Sequence, residues 1–268
     1  MAEGDSILRI ARRLGERLGG EAVSVRTPGQ RRPDGLPASE LDGRTLERAE
    51  SRGKHLIFHF DGGLVLHSHL GMRGSWQVYE EGERWRRPAR DAWIALAGNR
   101  AEAVNFGGSK MRIVREAQLN RDPRLARLGP DVLAEDFDPR VAVARIRSTG
   151  PDLKLGDALL GQRLVAGIGN IFRSEGCFAA AIDPRTPVGG VSDDELVTVL
   201  DATRTLMLEA VDTGRQPNQV YRRAGMPCPA CGTKILSQAQ GETARTTYWC
   251  PSCQPEHTPH RPAAPEQR

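Results

Sequence analysis

The apolar residues at the start of the chain recur with the period of an α-helix. Ile7, Ile10, Ala11, Leu14 and Leu18 fall on one face of a helix that begins near Asp5. The pattern therefore predicts an amphipathic first helix that packs its apolar face on a neighbouring layer.

Short apolar runs replace the helical period after residue 50. The runs 55–60 (HLIFHF) and 64–70 (LVLHSHL) are separated by Asp61-Gly62-Gly63, which predicts two strands joined by a turn. Further strands are predicted at 76–79 and 92–97 and near 111–114. Residues 1–130 thus predict a β-rich, sandwich-like layer with the first helix packed on it.

Helical patterns dominate after a change in composition near 120–140. Leu128-Gly129-Pro130 ends the preceding element, and Asp136-Phe137-Asp138 is typical of a helix start. The fold class is predicted to be α+β, with helices at about 138–147, 155–163, 170–179 and 192–211. The predicted divisions are 1–125 (β-rich domain), 126–222 (helical domain), 223–254 (cysteine-paired unit) and 255–268 (polar, proline-rich disordered tail).

Composition fits a loop-rich protein of two domains. The chain has 268 residues, of which 38% are hydrophobic, with 29 glycines and 18 prolines. No apolar run is long enough to span a membrane, and the first residues lack the apolar stretch of a secretory signal. We therefore expect the protein in the cytosol.

The arginines are clustered, although the formal net charge is only +4. Clusters lie at 84–90, 112–127 and 222–223. Such a surface can neutralise phosphates. Solvated arginine-rich faces with no partner are the competing interpretation, and composition alone does not separate the two.

Four of the five cysteines form two CxxC pairs. Cys228 and Cys231 are separated from Cys250 and Cys253 by residues 232–249, which predict a hairpin with a turn near Gly241. Paired CxxC motifs at this separation predict structural Zn²⁺ held by four thiolates. Disulfides do not suit a reducing compartment, and one CxxC would suffice for redox chemistry. Cys177 is predicted to be a small buried hydrophobic residue.

Arg245 lies beside the turn of this hairpin, at the start of its second arm. A guanidinium that projects there can clamp a phosphate. A solvated hairpin arginine is the alternative interpretation.

The run 159–175 (LLGQRLVAGIGNIFRSE) predicts two helices joined by a glycine turn. In this interpretation an apolar helix ends at Gly167, Gly169 supplies the turn, and Asn170 caps a helix that begins at Ile171. Backbone amides at such a helix start can bind phosphate. An ordinary helical hairpin is the alternative.

Five segments, in order and spacing, resemble the formamidopyrimidine-DNA glycosylase / endonuclease VIII family. They are the opening AEGD, SRGKHL at 51–56, HSHLGMRGSW at 67–76, the run 159–175, and the finger ending in YWCPSCQ. Their detail is similar to the endonuclease VIII-like branch of actinobacteria. The resemblance implies a helix-two-turn-helix and a zinc finger in the second half, with DNA in a cleft between the two domains.

The resemblance also implies the catalytic residues. The family's nucleophile is the amine exposed by loss of the initiator methionine, here that of Ala2, where the family usually has proline. An α-amino group has a pKa of roughly 7.7–8.0, so a substantial fraction is neutral near pH 7 and able to form a Schiff base. Glu3 matches the family's general acid, and Lys54 its lysine at the lesion phosphate.

The same resemblance implies the DNA contacts. Arg245 and Asn170 match residues that bind the DNA backbone around the lesion. Arg245 is also one of the predicted catalytic residues. Met72, with Arg73 beside it, matches the wedge that fills the space left by a flipped nucleotide. A buried core methionine after a strand is the alternative interpretation of Met72.

The resemblance thus implies a bifunctional DNA glycosylase and apurinic/apyrimidinic lyase that excises oxidised bases, pyrimidines in preference to purines. Its expected partner is double-stranded DNA with oxidised bases or abasic sites, its metal one structural Zn²⁺, and its state a monomer. The alternative is a damage-binding protein of the same fold with weak or no catalysis, which the departure at Ala2 keeps open. A zinc-ribbon transcription or RNA-binding factor would leave Glu3 and Lys54 without a role.

Overall fold

The computed structural model describes residues 2–29, 33, 35–242 and 244–256. The chain divides into two compact units, Met1–Leu128 and Gly129–Arg268. Of the predicted disordered tail, 257–268 lies outside the described residues, as does Met1.

Helix α1 (Gly4–Leu18) follows the predicted apolar period. Its buried face carries Ile7, Ala11, Leu14 and Leu18. The helix starts where the Glu3 amide donates to the hydroxyl of Ser6 at 3.0 Å, which satisfies an amide that the helix itself cannot pair.

Eight strands of the first unit form two antiparallel four-stranded sheets. One sheet has the order β1-β6-β7-β5 and the other β2-β3-β4-β8. The strands are β1 (Ser24–Arg26), β2 (Leu46–Arg52), β3 (His55–Phe60), β4 (Leu64–His69), β5 (Trp76–Glu80), β6 (Ile94–Ala97), β7 (Ala101–Asn105) and β8 (Lys110–Arg115).

Both sheets and α1 contribute to one apolar core. Phe58 of β3 and Trp76 of β5 meet with ring centroids 4.8 Å apart, and the Trp76 indole donates to Ser68 of β4 at 3.1 Å. Leu56, Leu66 and Ile94 belong to the same buried cluster as α1. Alternation along β3 and β4 sends every second residue to this core.

The opposite face of the β2-β3-β4-β8 sheet is partly covered by two short helices, α2 (Glu116–Asn120) and α3 (Pro123–Ala126). Ile57 and Val65 of the sheet form a second cluster there with Leu119 and Leu125. Towards the end of β4 the residues on this face are polar, among them His67 and His69.

The second unit is helical, with a hairpin near its end. Asp138 begins α4 by accepting from the Arg140 amide at 2.8 Å, and Ser192 begins α7 in a reciprocal pair with Glu195. The elements are α4 (Pro139–Arg147), α5 (Leu155–Leu160), α6 (Asn170–Ala179), α7 (Asp193–Thr213), β9 (Leu236–Gln240) and β10 (Arg245–Trp249).

The α+β class, the first helix and the predicted strands are confirmed. The strands β1, β2 and β7 were not predicted. β2 (LERAESR) is an edge strand with polar residues on both faces, so its sequence lacks the apolar alternation that identifies a strand. None of the helices in the described part of the chain has the length and apolar character needed to cross a bilayer.

The core position of α1 can be tested by truncation. We expect Leu14→Ala to lower the free energy of unfolding by about 2–5 kcal/mol, because Leu14 is fully buried and its loss leaves a cavity. Glu16→Ala, on the exposed side of the same helix, is the control and should change it by less than about 0.5 kcal/mol. Urea titrations measure both. Equal effects of the two substitutions would contradict this packing.

Candidate nucleic-acid site and metal centre

The first described residues form a small acidic site at the start of α1. Glu3 is fully buried and Asp5 is 1% exposed, while Ala2 packs partly buried against the core. The positive end of the helix dipole favours carboxylates here. The buried Glu3 therefore sits at the start of α1, directly after Ala2 in the chain.

Lys54 occupies the turn between β2 and β3. Gly53 takes a φ of 57°, a left-handed conformation that glycine adopts without strain, and Lys54 follows it half-buried. The charge of Lys54 contributes to lowering the pKa of His69, second to the burial of that ring. The ammonium group thus acts on the end of β4.

Three histidines cluster beside Lys54 on the sheet face away from the main core. The His55 ring lies 5.0 Å from that of His67 and 4.8 Å from that of His69, centroid to centroid. Nδ1 of His55 is 2.8 Å from Nε2 of His67, and Nδ1 of His69 is 2.7 Å from the Ser109 hydroxyl. One hydrogen bond and two ring contacts therefore join the three histidines.

Arg112 of β8 anchors the cluster. It lies opposite His67 in the sheet register and donates from Nε to Nδ1 of His67 at 3.0 Å. Its other end forms an ion pair with buried Asp122, the residue that begins α3. Burial alone would raise the pKa of Asp122, but the amide of Arg124 and the charge of Arg112 lower it.

His55 and His67 are neutral near pH 7. Burial lowers the pKa of His55 to about 3, with the neighbouring His67 adding to the effect. Burial, and then the charge of Arg112, lowers the pKa of His67 to about 4. These imidazoles therefore act as fixed hydrogen-bonding groups rather than as cations.

Met72 and Arg73 lie in the turn between β4 and β5, and both are exposed. Met72 is 68% exposed, so the alternative interpretation of a core methionine is wrong. The turn is held at its base, where the Ser109 amide donates to the His69 carbonyl at 2.9 Å and the Gly74 amide to that of Leu70 at 3.0 Å. A flexible apolar side chain thus projects from a fixed base.

The glycine turn before α6 differs from its prediction. Helix α5 ends at Leu160 rather than at Gly167, because the Gln162 side chain takes over the backbone groups of the loop. Its amide donates to the Leu160 and Ile168 carbonyls at 3.0 and 2.9 Å, and its oxygen accepts from the Gly167 amide at 3.1 Å. Two successive turns therefore separate the helices.

The predicted cap role of Asn170 is wrong. Gly169 precedes the helix, and Asn170 is its first residue. The Asn170 side chain instead donates to the carbonyl of Thr246 at 3.0 Å and accepts from Arg173. It connects α6 to the second arm of the hairpin.

Arg173 is completely buried beneath this connection. Its guanidinium donates to the Thr246 carbonyl at 3.0 Å and to the Arg245 carbonyl at 3.4 Å, and lies 3.9 Å from the Asp157 carboxylate. A buried charge is tolerated only when such partners surround it. Arg173 thus fixes the backbone of Arg245, whose own side chain is partly exposed at the start of β10.

Glu175, two residues further along α6, is also buried. Its carboxylate accepts from the amides of Gln219, Val220 and Tyr221 at distances between 2.8 and 3.1 Å. The carboxylate therefore holds the segment that leads from α7 into the cysteine unit.

The four predicted metal ligands converge. The sulfurs of Cys228, Cys231, Cys250 and Cys253 all lie within 4.8 Å of one another. The pairs Cys231–Cys250 and Cys228–Cys253 are separated by 3.4 and 3.8 Å. A tetrahedral metal with four Zn–S bonds of about 2.3 Å separates its sulfurs by roughly 3.8 Å, so the cluster fits a bound metal ion.

The thiol chemistry also favours a cation at this cluster. Hydrogen bonds from Thr233 lower the pKa of Cys231 to about 6. The hydrogen bond to Cys231 raises the pKa of Cys253 to about 12, since a second thiolate beside the first is unfavourable. A divalent cation removes this conflict by neutralising both charges.

The cysteine cluster is fastened to the helical part of its unit. The Gln254 side chain accepts from the Cys250 amide at 2.9 Å and donates to the Ile182 carbonyl at 2.8 Å. Arg185 stacks on Trp249 with its guanidinium carbon 4.1 Å from the ring centroid. Cys177 is buried outside the cluster, as predicted.

Sequence reasoning missed the buried Arg173 and Glu175 and the chain formed by Arg112, His67 and His55. Arg173 and Glu175 lie in the run 159–175, which was analysed for its glycines. Two charged residues within an otherwise apolar helix were the signal that could have identified them as buried and partnered. The Arg112 contact had no such signal, because it depends on the register of β4 with β8.

Two family models match the chain. The model "Formamidopyrimidine-DNA glycosylase N-terminal domain" matches residues 1–114, and "Formamidopyrimidine-DNA glycosylase H2TH domain" matches residues 128–221. The chain is 38% identical over 265 residues to a probable endonuclease 8 2 of Streptomyces coelicolor, which covers 95% of this chain and 94% of that protein.

Two further similarities extend over the same length. The DNA-(apurinic or apyrimidinic site) lyase Nei2 of Mycolicibacterium smegmatis is 36% identical over 267 residues, which is 95% of this chain and 99% of that protein. A crystal structure of Lactococcus lactis Fpg (MutM) with DNA containing N7-benzyl-Fapy-dG has a TM-score of 0.80 at 23% identity, covering 95% of this chain and 100% of that one. The similarity to the Lactococcus lactis structure shows the fold of this chain.

The metal centre can be tested with two cysteine variants. We expect the wild-type chain to contain about one tightly bound metal ion and Cys231→Ser to lose most of it, because a ligand is removed. Cys177→Ala, which removes a buried cysteine outside the cluster, should retain the metal. Elemental analysis of the purified proteins measures both. Metal loss in Cys177→Ala, or its full retention in Cys231→Ser, would contradict the assignment.

Proposed function

The chain belongs to the formamidopyrimidine-DNA glycosylase family, and from this membership we infer that it is a DNA-repair glycosylase with DNA-(apurinic or apyrimidinic site) lyase activity. We propose further that it excises oxidised bases from double-stranded DNA, pyrimidines in preference to purines. The observation that carries the proposal is the complete burial of Glu3, the residue that follows Ala2, at the start of α1.

The proposed nucleophile is the amine of Ala2 after removal of Met1. The amine attacks the anomeric carbon of the lesion nucleotide, the bond to the base breaks, and a Schiff base joins Ala2 to the opened sugar. Alanine supplies a primary amine where proline supplies a secondary one, and either can form this intermediate. Elimination then cleaves the strand, and hydrolysis returns the free amine.

Glu3 and Lys54 are proposed to serve the proton transfers and the phosphate. Glu3 lies at the helix start and follows the nucleophilic residue in the chain. Its carboxyl group is proposed to protonate the opening sugar ring. Lys54 projects from a turn that Gly53 makes possible, and its ammonium is suited to the phosphate at the lesion.

The hairpin is proposed to grip the same strand through Arg245. Its backbone is fixed by Arg173, and Asn170 binds the next carbonyl, so the guanidinium projects from a rigid base. Zn²⁺ is the proposed metal, since four cysteine sulfurs in tetrahedral spacing are the donor set it prefers. When bound it holds the hairpin, and it takes no part in the reaction.

Met72 is proposed as the wedge that enters the stack when the nucleotide leaves it, with Arg73 at its side. Its exposure in the free protein supports this role, because a side chain already in solvent loses no protein packing when it inserts. The proposed preference for oxidised pyrimidines follows from the resemblance of the sequence to the endonuclease VIII-like branch. We also propose that the protein acts as a monomer in the cytosol.

Borohydride trapping tests the nucleophile. We expect the wild-type chain to form a covalent adduct with an abasic-site duplex, because reduction fixes the Schiff base, and peptide mapping to place the adduct on Ala2. Ala2→Leu, whose larger side chain hinders removal of Met1, is the comparison and should form little adduct. Catalytic protein that still carries Met1, or a mapped adduct on a lysine, would rule out the amine of Ala2.

Absence of any adduct, combined with tight binding of the same duplex, would favour the second candidate, a damage-binding protein without catalysis. The observation that favours this candidate is Ala2, which stands where the family usually has the nucleophilic proline. The assay therefore separates the two functions in one experiment.

Arg245→Ala tests the grip of the hairpin. We expect weaker binding of lesion duplex and a salt slope reduced by about 1, because one phosphate contact is lost. Metal content should not change, since Arg245 is not a ligand. The control is Arg140→Ala, the loss of an exposed arginine from α4 of the same unit. Fluorescence anisotropy across a salt series measures both, and identical slopes for the two variants would defeat the assignment.

A further inference from the structure

The side chains of Asp122, Arg112, His67 and His55 form a chain of polar contacts beside Lys54, which we call the file. Each hydrogen bond in the file has a fixed donor and a fixed acceptor. Arg112 can only donate, so the Nδ1 of His67 that receives its Nε–H must carry a lone pair. Neutral His67 then carries its proton on Nε2, which faces Nδ1 of His55 at 2.8 Å. That proton is donated to His55, whose own proton is thereby placed on Nε2. Asp122 holds the far end of Arg112.

The file ends on the residue that follows Lys54. The His55 ring is fixed by the bond from His67 and by contact with the ring of His69, 4.8 Å away. A fixed ring on His55 fixes the backbone at the exit of the Gly53–Lys54 turn. The direction in which Lys54 leaves the turn therefore depends on a contact that begins at Arg112.

Charge gives the file a second effect. The charged groups that act on these rings are Asp122 and Arg112 on His55, Arg112, Asp122 and Arg124 on His67, and Lys54 on His69. The other histidines of the cluster also act on His55 and His67. An imidazolium at His55 or His67 would repel the Lys54 ammonium, and the bond from Arg112 opposes its formation. The Lys54 charge thus acts beside neutral rings.

We propose that Arg112, His67 and His55, anchored by Asp122, are positioning residues for Lys54: the file aims the ammonium at a DNA phosphate and keeps the neighbouring rings neutral. None of the three is assigned a bond to the reacting atoms. The inference rests on the proposed DNA-binding role of Lys54, and it extends that role to residues that lie on three different strands.

The tautomers are tested in the free protein. Long-range ¹H–¹⁵N spectra of the ¹⁵N-labelled full chain should show His55 and His67 with protons on Nε2 and no titration of either between pH 5 and 8, given pKa values of about 3 and 4. Arg112→Met should let His67 accept a proton on Nδ1 and titrate nearer the ordinary value of about 6.5.

Arg124→Met is the matched control for this measurement. It removes a cation that acts on His67 without belonging to the file, because Arg124 binds Asp122 through its backbone amide, which the substitution leaves in place. Its spectra should keep both tautomers. Protons on Nδ1 in the wild-type chain, or titration that Arg112→Met and Arg124→Met change equally, would overturn the file.

A double-mutant cycle tests the action on Lys54. The probe is a duplex with a tetrahydrofuran abasic analogue, which cannot form a Schiff base, so binding is measured apart from catalysis. We expect His67→Phe to weaken binding about tenfold when Lys54 is present and to have almost no effect in the Lys54→Met background, since coupled residues are not additive. His67→Gln, which can still accept from Arg112 and donate to His55, should bind nearly as the wild type does.

The outcomes separate this inference from the proposed function. Equal effects of His67→Phe with and without Lys54, or equal weakening by His67→Phe and His67→Gln, would overturn the positioning role. If His67→Phe fails to fold, as thermal unfolding would show, Arg112→Met takes its place in the cycle. The double-mutant cycle could show coupling while the wild-type chain gives no borohydride adduct. That result would overturn the proposed catalysis and uphold the positioning of Lys54.

Discussion

A guanidinium with no access to water needs partners from within the fold, and Arg173 finds hydrogen-bond acceptors and a carboxylate on three elements. Asn170 belongs to its own helix, Asp157 to α5, and the carbonyls of Arg245 and Thr246 to β10. None of these elements can shift alone without leaving a buried charge unmatched, which costs several kcal/mol. The hairpin is therefore positioned near its turn by Arg173 and at its open end by the cysteine cluster.

The first unit relies on a different constraint, the strict alternation of side chains across the β2-β3-β4-β8 sheet. Leu56, Phe58 and Leu66 are committed to the core, so the residues between them must face the other way. Near α2 and α3 that other face is apolar, and beyond them it carries the histidines. Apolar packing on one face thus sets the register that brings Arg112 opposite His67 on the other.

Regular periodicity and metal-ligand spacing explain what could be predicted from the sequence. The 3.6-residue pattern of α1, the apolar runs of β3 and β4, and the paired CxxC motifs each carry their information within a short segment. Asn170 shows why the rest could not be predicted. An asparagine after glycine suits a helix cap, but here its partner is Thr246, far along the chain, and tertiary structure decided between the two uses. β2 escaped prediction because an edge strand need not be apolar.

Met72 has an energetic consequence for association. It is 68% exposed, more than Met226, Val141 or Leu236, the other large hydrophobic side chains exposed in the described chain. Burial of such a side chain is worth about 1.5–3 kcal/mol relative to leaving it in water, roughly a tenfold to hundredfold change in an equilibrium constant. In the free protein Met72 remains in water, on a turn whose base is fixed by hydrogen bonds, so this free energy is gained only on association. Any surface that shelters Met72 gains affinity without a matching charge, and that part of the affinity does not weaken as salt is added.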